Sequence, residues 1–270
     1  SLSSLTFISN ANEYIAWRLL KLVFLSFLII YYIEVNYIFQ LIMCGLVAAV
    51  SRDGIIIKEQ MHEALSLLNH RGPDERNICL SENMEFGLGH TRLKIVDLNG
   101  GKQPFYDEEN DIYLVVNGEL YDYKQIRDFL IGKKHKFRSQ SDSEILLQLY
   151  IRYGINSLKY LNGEFAFVLW DNRKKILFAA RDRFGIKPLF YTFYNKTLFL
   201  ASEIKAFLGF GIPLEIDEKN INFSLIGQSY ATPFVNVLPI LPANYIVYNM
   251  DSLQQYDYWR IDFNNKFSNV

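Results

Sequence analysis

Along this chain the spacing of apolar positions changes several times, and each change predicts an element. Gly45 to Val50 is a short apolar run closed by Ser51-Arg52-Asp53-Gly54, the pattern of a buried strand followed by a turn. Met61, Ala64, Leu65 and Leu68 then recur at helical spacing until Arg71-Gly72-Pro73-Asp74 stops the helix. Apolar runs at 77–80, 86–89, 93–96 and 112–116, separated by Gly, Asn and Pro, predict several strands in succession. Ile126, Phe129 and Leu130 predict a helix. Ile145, Leu146, Leu149 and Tyr150 predict a stronger one, opened by Ser141 with Glu144 as a capping box and closed by Gly154.

The second half is denser in β-branched and aromatic residues. Phe165 to Trp170, Ile176 to Ala180, Leu189 to Phe193 and Thr197 to Ala201 read as meandering antiparallel strands, joined by Asp171-Asn172-Arg173 and Tyr194-Asn195-Lys196. Ser202-Glu203 begins a short helix, and Ile216 to Ile226 is expected to form another. From Pro233 short strands return, with Tyr245 to Tyr248 the clearest, and the tail 263–270 should fray. Blocks of strand alternating with blocks of helix predict an α+β fold in which helices cover antiparallel sheets.

One stretch does not fit that pattern. Leu22 to Ile33 is apolar apart from Ser26, and a second apolar patch runs from Tyr37 to Met43. The first run is short of the roughly 20 residues a membrane span needs, and Glu34 and Asn36 interrupt its extension. It also lacks a small-x-small cleavage site. Met43 is the first of the chain's 4 methionines and Cys44 follows it directly. The sequence therefore predicts translation from Met43, its removal ahead of a small residue, and a leader, 1–43, that is absent from the mature protein. Cys44 would then be N-terminal, its thiol beside an α-amine whose ordinary pKa of about 7.7–8.0 suits it to accept a proton.

Composition narrows the function. With 28 Lys plus Arg against 29 Asp plus Glu among 270 residues, and no run of five or six like charges, nothing favours nucleic acid or an anionic membrane as partner. Cys44 and Cys79 form no C-x-x-C, and His62, His70, His90 and His135 have no ligand spacing, so neither a disulfide framework nor a metal site is expected. Phosphate loops, dinucleotide fingerprints and serine-hydrolase elbows are absent from the sequence. What remains is a series of short polar strings at predicted element ends: Cys44-Gly45, Arg71-Gly72-Pro73-Asp74, His90-Thr91-Arg92-Leu93, Gly100-Gly101-Lys102-Gln103-Pro104, Asn117-Gly118-Glu119, Ser141-Asp142-Ser143-Glu144, Arg181 to Pro188, and Ser202-Glu203-Ile204-Lys205. Taken singly, Asn117-Gly118 also reads as an ordinary turn, repeated at Asn162-Gly163-Glu164. Arg92 reads equally as a surface arginine, and Asp142 as an acidic residue favoured at a helix start.

In their order and spacing, from Met43 to about Trp259, these strings resemble the class II glutamine amidotransferases, and specifically the N-terminal glutaminase domain of glutamine-hydrolysing asparagine synthetases. The resemblance implies a four-layer αββα sandwich of the N-terminal-nucleophile hydrolase type over residues 44–262. It implies Cys44 as the nucleophile on the side-chain amide of L-glutamine, with Asn117 and Gly118 stabilising the oxyanion. Arg92 would clamp the substrate α-carboxylate, Glu119 and Asp142 would receive its α-ammonium, and Leu93, Ile95 and Val96 would also belong to the substrate site. The Gly-Gly-Lys-Gln-Pro loop and the Arg181 to Pro188 segment would shape the sheet ends. The family usually has glycine at the position of Ala48 and Pro-Pro-Gly near Leu241-Pro242-Ala243. No cofactor is expected in this chain, ATP and magnesium belonging to a synthetase domain or subunit that would accept the ammonia. A cytoplasmic protein is expected, and a homodimer is compatible with it. Two alternatives use the leader: a non-catalytic glutamine-binding or interaction module whose nucleophile the leader blocks, or a membrane-tethered form.

Overall fold

The computed structural model describes residues 43–94, 100–218, 220 and 231–262. Twelve strands form two six-stranded sheets among these residues, every named pairing antiparallel. In the first sheet the order is β10 (Val237–Pro239), β8 (Phe190–Tyr194), β9 (Thr197–Ala201), β1 (Gly45–Ser51), β3 (Phe86–Arg92) and β2 (Glu75–Leu80). In the second it is β12 (Leu253–Asp257), β11 (Asn244–Tyr248), β7 (Ile176–Arg181), β6 (Gly163–Asp171), β5 (Ile112–Leu120) and β4 (Phe105–Asp107).

Period-two alternation explains why the central strands are apolar throughout. Leu46, Ala48 and Val50 of β1 enter a core shared with Val115 of β5, Ala166, Val168 and Trp170 of β6, and Leu177 and Ala179 of β7. The intervening Val47 and Ala49 pack against Met61, Ala64 and Leu65 of the Lys58–Ser66 helix and Phe207 of the short Ala206–Gly209 helix. Across the molecule Phe165, Phe167 and Leu169 face Leu130 of the Tyr123–Gly132 helix and Ile145, Leu146 and Leu149 of the Glu144–Tyr153 helix. Three cores between four layers therefore give the αββα order that the resemblance implies. Strands covered on both faces cannot alternate apolar with polar.

Four sequence expectations change. The meander is broken: β6 and β7 form a hairpin in one sheet, β8 and β9 a hairpin in the other, and the chain crosses between layers at 182–189. The 93–96 run does not extend β3, which ends at Arg92, and Ile95 and Val96 lie outside the described residues. The capping box does not form. Glu144 turns back to accept hydrogen bonds from the Arg138 and Ser139 backbone N–H groups at 2.7 and 2.8 Å, while Ser141 Oγ accepts from Ser143 N–H at 3.3 Å. Of the helix expected at 216–226, most lies outside the described residues, and its first residue, Ile216, bridges to Phe234 instead. The leader up to residue 42 and the tail 263–270 also lie outside them. Gly154 closes the Glu144–Tyr153 helix with φ 59°, as its position predicts.

Ala48 is fully buried between Leu88 and Leu200, so a methyl group is accommodated there. Ala243 is different. It sits at φ 56°, a left-handed conformation that costs an L-residue roughly 1–2 kcal/mol, and its N–H donates to the Asp182 carbonyl at 2.9 Å. Ala243→Gly is expected to stabilise the fold by about 0.5–1 kcal/mol, because relief of that conformation exceeds the added chain entropy. A raised urea midpoint at unchanged slope would show it, and a lowered midpoint would refute it.

Candidate active site

Cys44 precedes the first paired residue of β1, and antiparallel pairing of Gly45 with Thr91 brings it level with the end of β3. Its half-buried Sγ accepts a hydrogen bond from the Leu93 N–H at 3.4 Å. Burial pushes the Cys44 thiol above its ordinary range. The Leu93 N–H and the charges of Arg92 and Arg71 oppose that rise, and Asp142 adds to it. A thiol held up in this way is protonated at neutral pH, so it needs a base to act as a nucleophile.

Around Cys44 a pocket is lined by Met43, Arg92, Leu93, Asn117, Gly118, Glu119 and Asp142, together with Gly101, Gln103, Val116, Ser141, Ser143 and Lys187. Every expected site residue among the described ones is therefore gathered here from four separate chain segments. Arg92, buried at the end of β3, is placed by close backbone packing. A Cβ on Gly72 would lie 2.5 Å from the Arg92 nitrogen, so only glycine lets the Arg71 to Asp74 segment pass. Asp74 N–H then donates to the Arg92 carbonyl at 3.1 Å, and Glu75 Oε2 lies 3.4 Å from the guanidinium.

β4 pairs with β5 only as far as Leu114, which leaves the outer edge of β5 without a strand partner beyond that point. Its N–H groups point outward at alternate residues. Val116 N–H is taken by Gln103 Oε1 at 2.6 Å and Leu120 N–H by Asp142 Oδ2 at 2.8 Å. Gly118, midway between them, directs its N–H toward the pocket. A side chain is excluded there: at φ 156° a Cβ would lie 2.2 Å from the Glu164 carbonyl. The neighbours of Asn117 assign its amide orientation, with Nδ2 donating to the Cys44 carbonyl at 3.0 Å and Oδ1 accepting from Arg71 Nη2 at 3.3 Å. That leaves the second Nδ2 hydrogen for another acceptor.

Several contributors were not singled out as site residues from the sequence. The two Asn-Gly-Glu copies lie side by side, Glu119 opposite Glu164 in the β5–β6 register. Glu164 in turn holds Lys187 at 2.9 Å, and the Lys187 ammonium is 2.6 Å from the Met43 sulfur inside the pocket. The 181–188 segment does shape a sheet end, since Asp182 accepts backbone N–H bonds from Phe184, Ile186 and Lys187, but it also delivers Lys187 to the site. Gln103 likewise bonds both backbone groups of Val116. The signal that could have found these residues is the polar strings themselves, each of which reaches the pocket or its support. His90 goes the other way. Burial lowers its pKa to about 4, and the neutral ring donates from Nε2 to the Val116 carbonyl at 3.0 Å.

Among the described residues no helix is long and apolar enough to cross a membrane, and no group of three or more His, Cys, Asp or Glu could hold a metal ion. Comparison with known proteins adds the lineage. The chain is 40% identical over 239 residues to the amidase chry2 of Gibberella zeae, covering 84% of this chain and 36% of that protein. It is 36% identical over 231 residues to the glutamine-hydrolysing asparagine synthetase 3 of Bacillus subtilis, covering 82% and 37% respectively. It thus spans about a third of the length of these curated relatives. Its fold is shared with the glutamine phosphoribosylpyrophosphate amidotransferase of B. subtilis, solved with ADP and GMP, at TM-score 0.60 and 19% identity over 79% of this chain and 49% of that one. The family profile of the glutamine amidotransferase domain matches residues 43–259, and this chain belongs to that family, the class II glutamine amidotransferases with an N-terminal nucleophile.

Proposed function

We propose that this domain hydrolyses L-glutamine to glutamate and ammonia through a thioester on Cys44, once Met43 is removed and the Cys44 amine is free. The observation that carries the reading is the convergence on one thiol of the Asn117 amide, the Gly118 N–H, a buried arginine and two carboxylates. The α-amine takes the thiol proton, and the sulfur attacks the amide carbon of glutamine. Asn117 Nδ2 and Gly118 N–H hold the resulting oxyanion, the Cys44 α-ammonium passes the thiol proton to the leaving nitrogen, and ammonia departs as the thioester forms. Water then hydrolyses the thioester. Arg92 grips the α-carboxylate and Glu119 and Asp142 the α-ammonium, with Leu93 beside them in the pocket wall. Production from Met43, followed by an assay of glutamate release against a Cys44→Ala control, tests this; no release above the control would refute it.

The ammonia is passed, in this reading, to an ATP- and magnesium-dependent synthetase domain or subunit that activates aspartate and yields asparagine. Identities of 36% and 35% to two asparagine synthetases of B. subtilis support that acceptor. The similarly related amidase chry2 of G. zeae and amidase chyE of Penicillium rubens favour a second reading, in which the same half-reaction serves a different acceptor. Its free cysteines suit the reducing cytoplasm, where we place the protein.

A further inference from the structure

Two of the polar strings, Arg71-Gly72-Pro73-Asp74 and Ser202-Glu203-Ile204-Lys205, supply no residue to the pocket wall through Arg71 or Glu203, yet these two side chains meet directly behind it. The Arg71 guanidinium is fully buried and spans three groups. Its Nε donates to the Cys44 carbonyl at 2.9 Å, its Nη2 to Asn117 Oδ1 at 3.3 Å, and its Nη1 to Glu203 Oε1 at 2.8 Å. Glu203 also meets His70 Nε2 at 2.9 Å and Lys205 at 3.0 Å. The loop that carries it is tied to β1, Ser202 exchanging backbone and hydroxyl hydrogen bonds of 3.0 Å with Leu46.

Chemistry gives this arrangement a purpose. The two ends of a side-chain amide have nearly the same shape, so only neighbouring donors and acceptors choose between them. A guanidinium has no acceptor, and placed behind Asn117 it forces Oδ1 toward itself and Nδ2 toward Cys44. With the amide reversed, an oxygen lone pair would face the developing oxyanion. A buried guanidinium in turn requires a carboxylate to keep it in place, and burial, which would push the Glu203 carboxyl up, is outweighed by His70 and Arg71, which hold it at about 2.

We propose that Glu203 is a positioning residue for glutamine hydrolysis, acting through Arg71 to hold the Asn117 amide with its N–H groups toward the reacting centre. The proposal rests on the glutaminase reading above. Since neither Arg71 nor Glu203 lines the pocket, substrate binding should be spared and the effect should fall on the transition state.

A double-mutant cycle in the Met43-initiated protein tests it. Glu203→Gln is expected to lower kcat for glutamine at least tenfold with KM within about twofold. In an Asn117→Ala background the same change should cost less than about twofold, because what it positions is already gone. Equal fold-losses in both backgrounds, an unchanged kcat, or a loss confined to KM would overturn the proposal. If Glu203→Gln does not fold, as judged by its thermal transition, Arg71→Lys enters the same cycle with the same expected coupling, since lysine keeps the charge beside Glu203 but not the fork. An activity-independent reading separates this claim from the functional one. The Asn117 side-chain amide resonances, assigned by their loss in Asn117→Ala, should move in Glu203→Gln or Arg71→Lys. If they stay in place the positioning role is wrong, whereas moving resonances in a protein that releases no glutamate would remove only the glutaminase reading.

Discussion

Protein whose chain begins at Cys44 is expected to release glutamate from glutamine, while protein that retains a peptide bond to Met43 should be inactive. The thiol is half-buried and pushed up, and among the charged groups near it Arg71 and Arg92 favour ionisation while Asp142 opposes it. A free α-amine on the same residue supplies the missing proton acceptor at neutral pH. An acylated nitrogen has no basic lone pair. Met43 also lines the pocket, with its sulfur against Lys187, so its removal both frees the base and opens space for substrate. The check is to compare glutamate release by two preparations whose N-termini have been identified by mass spectrometry. Equal rates from the blocked and the free forms would show that the amine is not the base.

Asn117→Ala and Arg92→Ala should separate chemistry from binding. Loss of one oxyanion donor costs about 2.7–4 kcal/mol of transition-state stabilisation, so kcat should fall by roughly 10²–10³ while KM changes little. The Gly118 N–H remains and sets the residual rate. In the proposed binding mode Arg92 contacts a group of glutamine that does not react. Hydrogen bonds to charged groups are worth about 1.5–3 kcal/mol, which corresponds to a rise in KM of about 10- to 150-fold. Its charge also favours the Cys44 thiolate, so a smaller fall in kcat should accompany that rise. Steady-state kinetics on glutamine decide the matter, and a pure KM effect from Asn117→Ala would contradict the role given to the amide.

How much of this was legible differs from element to element. β1, the Lys58–Ser66 helix, β6, β7 and β9 follow from local period and turn residues, because a buried strand or an amphipathic helix announces itself within ten residues. Cys44 stood out through its place after the first methionine, and Arg92, Asn117 and Asp142 through the order of short strings.

Other features were settled by contacts that local sequence does not encode. That β7 and β8 belong to different sheets depends on which neighbours each strand finds, since both hairpins carry the same alternation. The capping box at Ser141 failed because Glu144 meets two nearer N–H donors in the preceding loop. The twin Asn-Gly-Glu strings, ambiguous when read apart, became neighbours only through the β5–β6 register. Arg71 and Glu203 are 132 residues apart, and no period links them. By itself the sequence indicated most of the elements and a candidate nucleophile, because those depend on residue identity and short-range spacing, and the groups proposed to surround that nucleophile through the resemblance its short strings carry. Only the tertiary structure decided the sheet assignment, the orientation of the Asn117 amide and the ion pair behind it, because each depends on which distant groups are brought within hydrogen-bonding reach.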